Sequence, residues 1–214
     1  MRYLILLCLL LPFHTFAETS LWKVSKGDSE LFIGGTIHVL SVNDYPLPIE
    51  FSQAYQQSQR IVFETDMEAM AAPEIQQQLL QRLMYKQGKN LRGEITEETY
   101  KALSHYLTSI GLSIEVFNQF KPSMIVMTLL MTELQRLGMA DTGVDKYFKN
   151  LAVEEAKAIG ELETVETQLD VLENLGKGQE NEMILSTIDE IKDLSLLMGD
   201  MKEAWRTGNT KKLE

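Results

Sequence analysis

Two stretches decide the fold: Leu31-Phe-Ile-Gly-Gly-Thr-Ile-His-Val-Leu40 and Ile61-Val-Phe-Glu-Thr-Asp66. Each begins as a short apolar run rich in β-branched residues, which is typical of a strand in an α/β protein. Polar side chains follow where each run ends, His38 in the first stretch and Glu64 and Asp66 in the second. Catalytic groups of α/β proteins usually lie at such strand ends. These three residues are therefore the candidate site.

The sequence around the first stretch predicts a β-hairpin. Leu21-Trp-Lys-Val-Ser25 alternates in polarity, Lys26-Gly-Asp-Ser29 is rich in turn formers, and 30–33 resumes the strand pattern. Asn43-Asp-Tyr-Pro-Leu-Pro48 predicts a loop, because its two prolines disfavour both a helix and a central strand. Residues 49–58 have helical spacing.

Helical spacing dominates from Pro73 onward, with one further short strand predicted at Ala158-Ile-Gly160. The pattern indicates one helix-rich α/β unit with a small central β-sheet flanked by helices. The predicted helical segments cover residues 73–88, 96–111, 113–117, 122–138, 144–156, 164–175 and 179–208.

Residues 1–17 have the pattern of a secretory signal. Arg2 supplies a weak positive start, residues 3–13 are almost purely apolar, and Thr15-Phe-Ala17 offers small residues for cleavage. The apolar run is shorter than the roughly 20 residues that a membrane-spanning helix needs. An uncleaved membrane anchor is the alternative interpretation. We expect a mature domain of residues 18–214 that is periplasmic or secreted, without stable membrane insertion after cleavage.

Charge and cysteine content limit the classes of partner and compartment. The net charge is −11, and removing Arg2 with the signal makes it −12. This balance argues against nucleic acid as a partner, because a phosphate backbone is bound by basic surfaces. The single cysteine, Cys8, lies in the predicted signal, so a mature domain would hold its core together without disulfides.

His38 is the strongest candidate ligand. It follows Gly35 by three residues, and an imidazole beside such a turn could bind a divalent metal or transfer protons. The alternative is a hydrogen-bonded core histidine beside a tight turn. His105, in the middle of a predicted helix, is expected at the surface.

Glu64 and Asp66 would share one face of a strand, because strand side chains alternate. Two carboxylates near an imidazole could bind a metal or act as a general base. Alternatively, they cap the following turn, or one pairs with Arg60. The case for chemistry assumes that the two apolar runs are neighbours in one sheet. Even so, a hydrolytic metal site normally has three protein ligands, and no His-Glu-x-x-His or Gly-x-Ser-x-Gly motif is present.

Several segments, in order along the mature chain, resemble the TraB/GumN family, which includes the Tiki metalloproteases. Gly-x-x-His alone is a weak signal, but the ordered set is specific. The matching segments are Leu21-Trp-Lys-Val24, Gly34-Gly-Thr-Ile-His-Val39, Asp44-Tyr-Pro-Leu-Pro48, Val62-Phe-Glu-Thr-Asp66, Gly143-Val-Asp-Lys-Tyr-Phe148, Glu161-Leu-Glu-Thr-Val-Glu-Thr-Gln-Leu169 and Ala204-Trp-Arg-Thr-Gly208.

The resemblance implies a helix-rich α/β fold with two related halves, each carrying one Gly-x-x-His. It implies a peptidase that uses a divalent metal, manganese or cobalt, with zinc not excluded. Carried over by position, His38 would be the first histidine of the site and Glu64 the matching glutamate. We expect His38 to be a ligand, Glu64 a ligand or the base that activates water, and Asp66 to lie beside the metal. The second Gly-x-x-His of the family is missing from this sequence, so the resemblance implies a C-terminally truncated domain with an incomplete second half. We expect these 214 residues to be inactive and poorly stable by themselves.

Two functional hypotheses follow. The first is an exported metal-dependent hydrolase, a peptidase that acts on peptide or protein substrates. The alternative is a non-catalytic periplasmic or secreted protein that keeps the fold and binds or inhibits a partner. The sequence makes no prediction of oligomeric state.

Overall fold

A computed structural model describes residues 19–139 and 143–213. Helices dominate these residues, which confirms the predicted helix-rich α/β class; the predicted signal, residues 1–17, lies outside them. The strands are β1 (Leu21–Lys26), β2 (Ser29–Gly34), β3 (Arg60–Phe63) and β4 (Ala158–Glu161). The helices are α1 (Ile49–Gln57), α2 (Met67–Met70), α3 (Pro73–Arg82), α4 (Leu91–Glu94), α5 (Glu97–Ser109), α6 (Pro122–Arg136), α7 (Val144–Glu154), α8 (Val165–Asn174), α9 (Glu180–Glu190), α10 (Leu194–Thr207) and α11 (Thr210–Leu213).

The predicted hairpin is confirmed. β1 and β2 pair in antiparallel fashion, and the register places Lys26 opposite Ser29, so Gly27 and Asp28 form the turn. Gly27 has φ +60°, a conformation that glycine adopts without steric cost. In the loop that follows β2, residues Val42–Asp44 form a short 3-10 turn, and the Tyr45–Pro46 peptide bond is cis.

The short strand predicted at Ala158-Ile-Gly160 is also confirmed, as β4. It pairs in parallel with β3, with Val62 opposite Gly160. The expectation that β2 and β3 are neighbours in one sheet is wrong. In residues 19–139 and 143–213 the strands form two separate two-stranded sheets, β1–β2 and β3–β4. The apolar run in β2 is not a buried strand, because Leu31 and Ile33 are 59% and 51% exposed. Leu31 and Ile33 lie on one outward face of the hairpin, and Phe32 lies on the other face.

Local signals in the sequence set most helix boundaries. Pro73 and Pro122 occupy the first turn of α3 and α6, where proline costs no hydrogen bond. Thr96 caps α5 by accepting from the N–H of Thr99.

Among the helices of the described residues, none combines the length and apolar character that crossing a bilayer requires.

The long helix predicted at 179–208 is interrupted. Residues Ile191–Asp193 form a 3-10 turn between α9 and α10. Side chains three residues apart eclipse in a 3-10 turn, and Ile191 and Leu194 are both buried. The tighter turn thus directs two apolar side chains, three residues apart, into the protein.

Two hydrophobic cores hold the fold together. The first surrounds Phe51, Phe148 and Trp205 and therefore joins the N-terminal elements to α7 and α10. The second is built from α4, α5, α6 and α9, with Leu103 and Ile125 fully buried. α6 supplies side chains to both cores. The candidate site lies beside the first core.

Candidate functional site

The turn that precedes His38 is held by the C-terminal helix α10. The indole Nε1 of Trp205 donates a hydrogen bond of 2.6 Å to the carbonyl oxygen of Gly35. Gly35 N–H donates to the carbonyl of Ser20 at 2.8 Å, and Ser20 N–H donates to the carbonyl of Trp205 at 3.0 Å. Trp205 is 3% exposed and packs against Phe51 at 5.1 Å between ring centroids, so the hydrophobic core supports this turn.

The same helix also holds the loop after His38. Lys202 Nζ lies 2.9 Å from the carboxylate of Asp44, and Arg206 donates to the carbonyls of Asp44 and Pro46. Gly208, with φ +64°, follows Thr207 and terminates α10. The Ala204-Trp-Arg-Thr-Gly208 segment therefore positions both sides of the Gly-x-x-His turn.

The N-terminus of α7 packs directly on the backbone of His38. Val144 N–H donates to the carbonyl of Ile37 at 2.9 Å. A Cβ atom on Gly143 would overlap the carbonyl group of His38 and would lie 2.5 Å from the carbonyl oxygen of Ile37. Only glycine fits at this position, and its close approach brings the first turn of α7 to the imidazole.

That turn presents Asp145 to His38. Nδ1 of His38 lies 2.8 Å from Oδ2 of Asp145, and the side chains are 68% and 12% exposed, respectively. His38 is thus hydrogen-bonded, as the structural alternative requires, but its imidazole faces solvent rather than the core. Within the described part of the chain, Nε2 of His38 makes no hydrogen bond.

The environment raises the pKa of His38 above its ordinary value of 6.5. The largest cause is the hydrogen bond to Asp145; partial burial acts in the opposite direction, and the charges of Asp145 and Glu64 add to the increase. A carboxylate favours the charged imidazolium form. Glu64 acts on His38 by its charge alone, without a hydrogen bond between the two side chains.

Glu64 follows β3 at the edge of the β3–β4 sheet. Its carbonyl accepts from the N–H of Glu163 at 2.8 Å, which continues the parallel pairing beyond β4. The side chain is exposed, and among the described residues its carboxylate makes no hydrogen bond or ion pair. The guanidinium of Arg60 lies against Gly160 instead. The carboxylate of Glu64 is therefore available to a ligand.

Asp66 caps the short helix α2. Its Oδ1 accepts hydrogen bonds of 2.9 Å from the N–H groups of Glu68 and Ala69. The capping alternative is thereby confirmed for Asp66, and its role near a metal stays a prediction. His105 is exposed on α5, as predicted.

The metal set predicted from the sequence is incomplete in the described residues. Across residues 19–139 and 143–213, no three His, Cys, Asp or Glu side chains lie close enough to hold an ion together. His38 and Glu64 can each offer a donor, and Asp145 is engaged with the ring of His38. These residues would therefore supply two donors of a metal site that normally has three protein ligands.

Asp145 is the site residue that sequence reasoning missed. It lies in a segment that resembles the family, but the spacing gave it no role, because it is 107 residues from His38. The available signal was local: an acidic residue in the first turn of a helix that begins directly after a glycine. Such a carboxylate is stabilised by the helix dipole and faces whatever contacts the helix N-terminus.

Fold and site together define a helix-rich α/β protein with an exposed histidine–carboxylate pair beside a Gly-x-x-His turn. Residues 20–214 match the TraB/PrgY/gumN family, and the chain belongs to this family. Two similar relatives are the uncharacterized protein YbaP of Escherichia coli (strain K12) and that of Shigella flexneri. Each is 26% identical over 147 residues, which is 68% of this chain and 53% of the relative. The chain thus spans about half the length of the curated relatives it matches. No solved structure matches significantly.

Proposed function

We propose that this chain belongs to an exported metal-dependent hydrolase, a peptidase that acts on peptide or protein substrates in the periplasm or outside the cell. One observation carries the proposal: Asp145 holds Nδ1 of His38 while the opposite edge of the imidazole faces solvent. A histidine that ligates a metal typically donates its other ring N–H to a carboxylate or carbonyl. The signal-like residues 1–17 support export.

The proposed ligands are His38 and Glu64, with Asp66 beside them. Because the described residues do not complete a three-donor set, the remaining donor would come from outside them, in the second Gly-x-x-His that the family resemblance implies. By this proposal the 214 residues alone are an inactive N-terminal portion. When bound, a divalent ion supplies a nucleophilic water at neutral pH and polarises the substrate carbonyl.

The chain's own residues have separate tasks in this proposal. Glu64 is an exposed carboxylate whose charge acts on His38; because its side chain faces solvent, it would accept a proton from water or bind the ion. Asp66 fixes the start of α2 and thereby the backbone that follows Glu64. Trp205 fixes the turn that carries His38.

Titration with Mn²⁺, Co²⁺ and Zn²⁺ tests the metal site. We expect the protein isolated at its native length to bind one of these ions and to cleave a fluorogenic peptide library, and His38→Ala to abolish both. His105→Ala is the matched control, because that imidazole is exposed on α5. Unchanged binding and cleavage in His38→Ala would refute the assignment.

The absence of a three-donor group from the described residues favours one alternative, an exported protein that binds or inhibits a partner without catalysis. The intact mass of the native protein from the cell envelope separates the two. A mass well above 24.4 kDa supports a longer enzyme. A mass one signal peptide below it, together with no metal uptake, supports the non-catalytic protein.

A further inference from the structure

The geometry points to a specific role for Asp145: it is a positioning residue that fixes the neutral tautomer and the ring orientation of His38. A carboxylate can only accept a hydrogen bond, so the 2.8 Å contact requires the proton of the neutral ring on Nδ1. Nε2 then carries the lone pair, and it does so on the exposed edge of the ring. The inference rests on the proposed function only where metal uptake is concerned.

The contact is built into the fold and is not a chance surface pair. Asp145 is held on the second residue of α7, and α7 is held by the hydrogen bond from Val144 to Ile37. The backbone of Gly143 lies so close to that of His38 that a Cβ atom would overlap it, so the start of α7 is packed directly on the turn. The side chain of Asp145 is 12% exposed, which restricts its rotamers.

The orientation of the pair decides which edge of the ring can meet a ligand. Asp145 contacts Nδ1, on the edge of the imidazole that faces the protein. Nε2 is on the opposite edge, toward solvent. The neutral imidazole has two tautomers, and the hydrogen bond at one ring nitrogen decides which is present. A metal ion needs an unprotonated ring nitrogen. Without Asp145, the ring is free to rotate and to place its proton on Nε2.

The experiment compares the protein isolated at its native length with its Asp145→Ala and Asp145→Asn variants and with the control Asp200→Ala, at an exposed aspartate on α10. Long-range ¹H–¹⁵N NMR on the neutral imidazole reports which nitrogen carries the proton. We expect Nδ1–H in the wild type and in Asp200→Ala. Asp145→Ala should shift the population toward Nε2–H, and Asp145→Asn should give a mixture, because an amide can both donate and accept.

Co²⁺ titration of the same proteins gives the second readout. Loss of a partner of this kind typically lowers metal affinity about 10- to 100-fold, so Asp145→Ala should weaken Co²⁺ binding by that factor while the melting temperature monitors the fold. An Nε2–H tautomer in the wild type, or one unchanged by Asp145→Ala, overturns the positioning role. If the tautomer shifts as expected but no form of the protein binds Co²⁺, the positioning role stands and the proposed metal site fails.

Discussion

At the scale of single residues, Gly143 sets how closely α7 approaches the His38 turn. A Cβ atom there would overlap backbone carbonyl groups, which cannot rotate away as a side chain would. We expect Gly143→Ala to lower the free energy of unfolding by about 1–3 kcal/mol, as overpacking does. It should also lengthen the contact between His38 and Asp145. Urea denaturation measures the first effect, and the NMR signals of the His38 ring measure the second.

Gly199 provides the matched control for that substitution. It lies within α10, and a Cβ atom there would meet nothing within 4 Å. Gly199→Ala should therefore stabilise the protein by about 0.5–1 kcal/mol, because alanine loses less conformational entropy in a helix. If Gly143→Ala raised the free energy of unfolding as Gly199→Ala does, α7 would not pack as closely on the His38 turn as described.

His38 should titrate above 6.5, because the hydrogen bond to Asp145 raises its pKa. For a raised pKa, the pair's contribution to stability is fully present below the unfolded value and is lost as pH rises through the folded value. Asp145→Asn should bring the pKa back toward 6.5, with the charge of Glu64 still raising it and burial still lowering it. NMR titration of the His38 ring protons checks this. An equal pKa in both proteins would show that the pair does not form in solution.

At the scale of elements, α10 secures the Gly-x-x-His turn through one indole. Trp205→Phe removes the donor to Gly35 but keeps an aromatic ring against Phe51. Leaving a buried carbonyl without its partner costs about 1–3 kcal/mol. The Gly35 carbonyl is only partly buried, so we expect a loss toward the lower end of that range in urea denaturation. Trp22→Phe, on the hairpin, is the control: its indole is 44% exposed, and the substitution should be nearly neutral. Equal losses in the two variants would contradict the role of α10.

The elements also show which parts of this fold can be predicted from sequence. Pro73, Pro122 and the Thr96 cap act on neighbouring residues, so the starts of α3, α6 and α5 were predictable. The hairpin was predictable for the same reason. The pairing of β3 with β4 depends on packing between segments far apart in the chain, and no local pattern encodes it.

In the candidate site, too, local features were predictable and contacts between distant segments were not. His38 and Glu64 were identifiable because strand ends are recognisable locally, and each does follow a strand. Asp145 was not, because its relation to His38 exists only once α7 packs on the turn. For Asp66, sequence spacing left capping and metal binding as alternatives, and the hydrogen bonds to Glu68 and Ala69 establish the cap.

At the scale of the whole molecule, the hairpin leaves an apolar surface in contact with water. Trp22 lies opposite Ile33, and Val24 lies opposite Leu31, so the four side chains form one face. They are 44%, 51%, 48% and 59% exposed, respectively. Contiguous exposed apolar surface of this kind favours association between molecules.

Self-association through that face can be tested by substitution. Val24→Thr with Leu31→Thr keeps β-forming residues while removing apolar surface. We expect weaker binding of a hydrophobic dye and less self-association in light scattering, with the free energy of unfolding changed by less than about 1 kcal/mol.

The matched control is Val42→Thr with Leu162→Thr, which makes the same two changes at side chains that are 83% and 75% exposed. These residues are not cross-strand neighbours, so their apolar surface is not continuous through a strand ladder. The control should leave dye binding and scattering close to the wild type. If both double variants reduce association equally, total exposed apolar area governs it. If neither does, the hairpin face is not adhesive, and the net charge of −11 is the next feature to vary, by measuring scattering at raised salt.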